Sequence, residues 1–203
     1  MNKKMKRTFL AACSLVFLLL SFTNDNLRES PAYVTDFSLK GIDHRLFTTK
    51  NNLAKGYIVV FTCNHCPFAK LYTKRLNDLN RTYTKQGVPL LAINSMDSVL
   101  YEEETFALMQ QKARKEGYQF AYLQDASQSV AKLFGANHTP QAFVIWKVNN
   151  QWVIKYNGAI DDNGQHPEKA VPYIAQAVNQ LLAGKQVVFP KSASFGCRII
   201  LRK

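Results

Sequence analysis

Two apolar runs, Tyr57-Ile58-Val59-Val60-Phe61 and residues 88–93, are continuous rather than alternating, which predicts strands buried on both faces. Between them the period changes from strand to helix. Phe68, Tyr72, Leu76, Leu79 and Tyr83 recur at intervals of four, four, three and four, giving one apolar helical face that ends at Gly87. A strand–helix–strand unit of this kind predicts a right-handed parallel crossover. Ahead of it, residues 36–39, a turn at residues 41–44 and Leu46-Phe47 read as a short hairpin. After it, Glu102, Glu103 and Glu104 open a predicted helix, and Lys112, Arg114 and Lys115 close it before Gly117, an order that complements the helix dipole.

The rest of the chain continues the alternation. Residues 120–123 predict a third strand, and residues 127–134 a short helix closed by Gly135. Residues 142–148 and 152–156, separated by Asn149-Asn150-Gln151, predict an antiparallel hairpin. A last helix carries Ile174, Val178, Leu181 and Leu182, with Pro172 near its first turn and Gly184 at its end. Mixed parallel and antiparallel strands with helices on both faces make an α/β sandwich.

Composition narrows the class. Of 203 residues, 47 % are apolar and 20 % charged, which argues against a disordered chain and against a polytopic membrane protein. The one long apolar run, residues 8–22, follows the basic head Lys3, Lys4, Lys6 and Arg7. That is the layout of a secretory signal, and it falls short of the roughly 20 residues a spanning helix needs. Residues 1–23 therefore read as a signal peptide, or as an N-terminal anchor if uncleaved. Residues 24–33 read as a polar linker, 34–190 as the domain and 191–203 as a tail. Leu10-Ala11-Ala12-Cys13 resembles a lipid-attachment box, but most of the apolar run lies after it, which disfavours that use. The net charge of +12 includes four positive charges from the leading segment, leaving +8. No basic stripe interleaved with aromatics is present, so nucleic acid is not an expected partner. Export puts the domain where disulfides persist, in the periplasm or another extracytoplasmic space.

The strongest chemical signal is Cys63-Asn64-His65-Cys66, where the first buried strand runs into its helix. Free amides and the dipole at a helix start favour a thiolate, so Cys63 is expected to have a depressed pKa. A cationic His65 would favour it further and make a Cys63–Cys66 disulfide more oxidising. Redox chemistry, a structural disulfide and half of a zinc site are the readings this spacing allows. A four-ligand zinc site would usually want a second cysteine pair, and only Cys197 remains outside the export segment.

Phe61-Thr62-Cys63-Asn64-His65-Cys66-Pro67-Phe68, with Asn137-His138-Thr139-Pro140 ahead of a strand, resembles the thioredoxin-like superfamily. More closely it resembles exported redoxins grouped with the alkyl hydroperoxide reductase and thiol-specific antioxidant proteins, over about residues 31–184. The resemblance implies a central mixed sheet with helices on both faces, an N-terminal hairpin and an inserted strand–helix pair. It also implies a thiol–disulfide oxidoreductase that needs no cofactor and no metal. Cys63 would attack, Cys66 would resolve and His65 would tune the potential. Pro140 would be cis, Thr139 would pair with an extended substrate segment, and Gly158 and Ala159 would line the groove. Asp161 and Asp162 follow in the same loop, as a possible proton relay to Cys66 or as turn caps. Protein thiols or disulfides would be the substrates and a membrane thiol carrier a candidate partner.

Departures from the resemblance bear on mechanism. Thioredoxins carry a buried acid six residues before the first cysteine and a tryptophan directly before it; here those positions hold Tyr57 and Thr62. Peroxiredoxins carry a threonine three residues before their cysteine, and Val60 stands there, which argues against a peroxidase. A copper carrier using Cys63, Cys66 and His138 is the alternative from a different class. Cys197 is a candidate third thiol. Its surroundings, Ser192-Ala193-Ser194-Phe195-Gly196, are small and polar, so the tail is expected not to pack as an element and catalysis to need only Cys63 and Cys66.

Overall fold

The structure, a computed structural model, describes residues 32–202. The signal segment, Cys13 and nearly all of the linker lie outside the described residues. Strand β4 (Gly56–Phe61) and strand β5 (Leu90–Asn94) are buried at every position, as continuous apolar runs require. They pair in parallel, and β5 pairs in parallel with β6 (Ala121–Gln124). On the other side of β4 lies antiparallel β8 (Gln141–Val148), followed by β9 (Gln151–Gly158) and a short edge strand β1 (Tyr33–Val34). The hairpin β2 (Ser38–Gly41) and β3 (Leu46–Thr48) adds to β6, completing the order β1-β9-β8-β4-β5-β6-β2-β3.

Alternate residues of β4 face opposite sides of this sheet. Ile58 and Val60 join a core with Tyr72, Leu76, Met109, Ile174 and Val178, covered by helices α2 (Thr73–Thr84), α3 (Phe106–Glu116) and α5 (Tyr173–Leu182). Tyr57, Val59 and Phe61 join the second core with Phe134, Phe143, Cys63 and Cys66, covered by helix α4 (Ser129–Phe134). Among the described residues no helix is long and apolar enough to cross a membrane.

Three expectations need correction. The predicted helix after β4 is broken: α1 (Pro67–Lys70) ends in a tightened turn, with the amides of Leu71 and Tyr72 bonding three residues back to Phe68 and Ala69. Phe68 thus leaves the apolar helical face and is exposed. The helix expected from Glu102 begins only at Phe106, and Glu102–Glu104 form a separate 3-10 turn with Glu104 buried.

The tail is the third correction, because it packs along its length. Strand β10 (Cys197–Arg198) pairs antiparallel with β7 (His138–Thr139). Ile199 is buried in the second core, and its amide donates to the Asn137 carbonyl at 2.9 Å. Arg202 pairs with Asp97, Nε to Oδ2 at 2.6 Å and Nη2 to Oδ1 at 2.5 Å. The Arg202 guanidinium holds the Asp97 carboxyl below its ordinary range. A carboxyl depressed in the folded state stabilises above its unfolded pKa of about 3.9 and loses that contribution as pH falls through its folded pKa. Amide exchange at Ile199 and Arg202, corrected for intrinsic rates, should therefore accelerate on acidification below about pH 4. Asp97→Asn should show the same acceleration at neutral pH; equal protection in parent and variant would remove the latch.

Candidate active site

Strand β4 delivers its last turn of chain directly to α1: the Thr62 amide still pairs with the Ile93 carbonyl at 2.9 Å, and Pro67 occupies the first helical position. Cys63 and Cys66 are both free thiols with 0 % exposure. Thr139 meets both, its hydroxyl 3.2 Å from Cys63 Sγ and its carbonyl accepting from Cys66 Sγ at 3.1 Å. The Thr139–Pro140 peptide bond is cis.

Cys66, rather than Cys63, caps α1. The neighbouring Cys63 thiol lowers its pKa most, burial acts against that, and Cys197 and the Ala69 amide act with Cys63, although no side-chain hydrogen bond caps the helix. Sharing that proton with Cys66, burial and the Glu104 carboxylate raise Cys63, while the Thr139 hydroxyl and the Cys66 amide act the other way. The Thr139 carbonyl, which accepts from Cys66 Sγ, opposes a Cys66 thiolate. Cys66 rather than Cys63 thus stands at the helix start, because the chain turns into helix three residues later than the first cysteine. With only four residues, α1 offers either sulfur little helix dipole.

Glu104 is the residue the sequence pattern misassigned. It is 1 % exposed, and its carboxylate accepts from the amides of Asn64 (2.9 Å) and His65 (3.0 Å), from Asn94 Nδ2 (2.6 Å) and from His65 Nδ1 (2.6 Å). The two residues between the cysteines are thus held by one buried acid. His65 also stacks on Tyr101 with centroids 4.6 Å apart. Any positive charge on this imidazole is matched by the carboxylate beside it, which mutes its influence on the thiols. Asn64 closes the network, accepting from Tyr122 OH at 2.9 Å and donating to the Glu103 carbonyl at 2.6 Å.

Other predicted residues are placed elsewhere. Asp161 accepts from Tyr72 OH (3.1 Å) and Arg75 Nη1 (2.5 Å), and Asp162 accepts from the Val171 amide (2.7 Å). Both brace the loop before α5, in the capping use that is the other expectation for them. Tyr57 offers no base either: it is buried without a hydrogen-bond partner, and burial pushes its hydroxyl up to about 12. His138 bonds Asn137 Oδ1 at 2.6 Å, and burial and Arg198 lower its pKa. Among the described residues the one cluster with metal-ligating geometry is Cys63, His65 and Glu104, with ligand atoms within 4.8 Å of one another. The copper set Cys63, Cys66 and His138 is therefore not assembled. Glu104 spends its oxygens on the four donors above, which leaves the remaining cluster poorly suited to an ion.

The groove residues are covered by the tail. Ser192 Oγ accepts from the Ala159 amide at 2.9 Å, and the Ser192 amide donates to the Asn157 carbonyl at 3.1 Å. A Cβ at Gly158 would be driven into Ser192, so only glycine permits this approach. Thr139 is paired with Cys197. The two walls assigned to an extended substrate thus hold residues of the same chain.

Two solved structures resemble the chain over most of its length. A hypothetical protein from Sinorhizobium meliloti 1021 is 32 % identical, with 87 % of this chain and 97 % of that one covered and a TM-score of 0.77. An uncharacterized conserved protein from Geobacillus kaustophilus is 30 % identical, with 87 % and 94 % covered and a TM-score of 0.76. The exposed lipoprotein thioredoxin of Streptococcus pneumoniae strain TIGR4, 14 % identical, shares the fold alone, with 74 % and 99 % covered and a TM-score of 0.55. Among curated proteins none matches the chain. The model of the AhpC/TSA family matches residues 32–162, more than half of the sequence, and the chain belongs to that family as a thioredoxin-like redoxin.

Proposed function

We propose that this redoxin is a thiol–disulfide oxidoreductase that acts on protein thiols or disulfides outside the cytoplasm, with Cys63 and Cys66 as its redox pair. The observation that carries the reading is the pair itself. Two buried thiols three residues apart lie against one edge at Thr139, whose hydroxyl is 3.2 Å from Cys63 Sγ and whose carbonyl accepts from Cys66 Sγ at 3.1 Å. A thiolate at Cys66 attacks a substrate sulfur, the Cys66–substrate bond forms and the substrate disulfide breaks. Cys63 then attacks Cys66, and the substrate leaves as its second thiolate. Glu104 and His65 position the loop. Export rests on the basic and apolar leader alone.

The test is reduction of a model protein disulfide with a chemical dithiol as electron source. Cys66→Ser and the double variant Cys63→Ser/Cys197→Ser should each fall to the uncatalysed background, and the double variant should accumulate a mixed disulfide on Cys66. Turnover by either variant at the parent rate would sink the assignment.

A further inference from the structure

We propose that Cys197 is a third redox-active thiol, carried into the site on a built-in strand, and that it takes the disulfide from the buried pair by exchange at Cys66. This deepens the reading of Cys63 and Cys66 as a redox pair and rests on it.

The placement is constructed rather than incidental. Cys197 lies opposite Thr139 in the β7–β10 pairing, its carbonyl accepts from the Thr139 hydroxyl at 3.4 Å, and it packs against the core that contains Cys63 and Cys66. Thr139 thus touches all three cysteines, bonding Cys63 and Cys66 through its side chain and carbonyl and pairing with Cys197 along the strand. Gly196, at φ 147°, lies so close to the Thr139 carbonyl that a Cβ would collide with it. Beyond the strand, Gln128 clamps the tail by its backbone: Nε2 donates to the Ile200 carbonyl at 2.9 Å and Oε1 accepts from the Arg202 amide at 2.7 Å. Gln128 is fully buried and sits at φ 59°, a left-handed conformation that non-glycine residues seldom adopt. Ser192 fixes the other end against Ala159.

The exchange balances without an added oxidant. Once a substrate disulfide has oxidised the pair, Cys197 loses its proton and its sulfur attacks Cys66 Sγ. The Cys66–Cys197 bond forms, the Cys63–Cys66 bond breaks, and Cys63 leaves with the electron pair and takes up a proton. Burial and Glu104 favour that protonated product. In the reduced site burial, then the neighbouring Cys66 sulfur, push the Cys197 thiol up to about 11; oxidation of Cys66 removes its charge and with it that part of the opposition. The disulfide then includes a half-buried sulfur in place of two sulfurs with no exposure. A reducing thiol arriving from solvent can attack Cys197, and Cys66, the thiolate best supplied with donors, is the group that leaves.

The experiment uses the full chain, oxidised with graded glutathione disulfide, quenched in acid, alkylated and digested with trypsin without reduction. Cys63 and Cys66 share the peptide 56–70, whereas Cys197 lies in 192–198, so the proposed bond joins two peptides. Cys63→Ser should link 66 to 197 in most chains. Cys66→Ser should give at least tenfold less of any link to 197. Adding Gly196→Ala to Cys63→Ser should lower the link at least tenfold, and Gln128→Ala, at the far end of the tail, should lower it as well; thermal melts verify that each variant is folded. Glutathione adducts or dimers in place of the link in Cys63→Ser would overturn the proposal. So would a link equally abundant from Cys66→Ser, or one indifferent to both tail variants. Mapping is independent of turnover. A link in a protein without reductase activity leaves this proposal standing and defeats the functional reading, while turnover without a link does the reverse.

Discussion

Replacing Glu104 with Ala should cost the protein roughly 3–5 kcal/mol, the penalty of removing one member from a buried, fully bonded charged network. The amides of Asn64 and His65, and the Asn94 side chain, would lose their acceptor in a place water does not reach. Glu104→Gln keeps the shape but turns an amide donor toward other donors, and should cost about 1.5–3 kcal/mol. Both variants remove the negative charge that helps to raise Cys63, so the Cys63 thiol should titrate lower. Urea denaturation reads the first effect and thiolate absorbance against pH the second. Stabilities within about 0.5 kcal/mol of the parent, the range of an ordinary surface substitution, would show that the acid is not holding the loop.

The reduction potential of the Cys63–Cys66 pair should lie above that of thioredoxin, less negative than about −270 mV. Donors that stabilise the Cys66 thiolate stabilise the reduced form, and each 1.4 kcal/mol of such stabilisation raises the potential by about 30 mV. Gly196→Ala withdraws the Cys197 amide and thiol from Cys66 and should therefore lower the potential. Equilibration with glutathione, followed by mass analysis, gives the number. A potential at or below −270 mV, unmoved by Gly196→Ala, would contradict the assignment of those donors.

The fold was legible because its central strands are written in the simplest code available. A run such as residues 57–61 has no polar position to place at a surface, so it must lie between two layers. Strand ends and glycine stops were legible for the same local reasons, Gly117 and Gly135 both adopting the left-handed conformation that closes a helix. The cysteine motif was legible as chemistry, but the ordering of its two thiols was not. That ordering depends on which cysteine starts the helix and which is raised by Glu104. Glu104 looked like one of three equivalent acids, and nothing in Glu102-Glu103-Glu104 says that the third turns inward. Gln128 gave no signal at all. The tail was misread because its anchors are backbone hydrogen bonds and a glycine, and small polar residues look the same whether they wave in solvent or lie along an edge.

The seated tail also changes the arithmetic of recognition. Any polypeptide that adds along Thr139 and Gly158 competes with residues 190–198, which are tethered beside the groove and never diffuse away. A short tether holds its occupant at an effective concentration of order millimolar. The apparent affinity for an outside chain is its intrinsic affinity multiplied by the fraction of time the groove stands open. Casual thiol encounters, which bring little binding energy beyond one sulfur, are rejected by that factor. A partner whose flanking residues outbid the Gln128 clamp and the Asp97–Arg202 pair gains entry, so selectivity among partners is set by contacts remote from the reacting sulfurs.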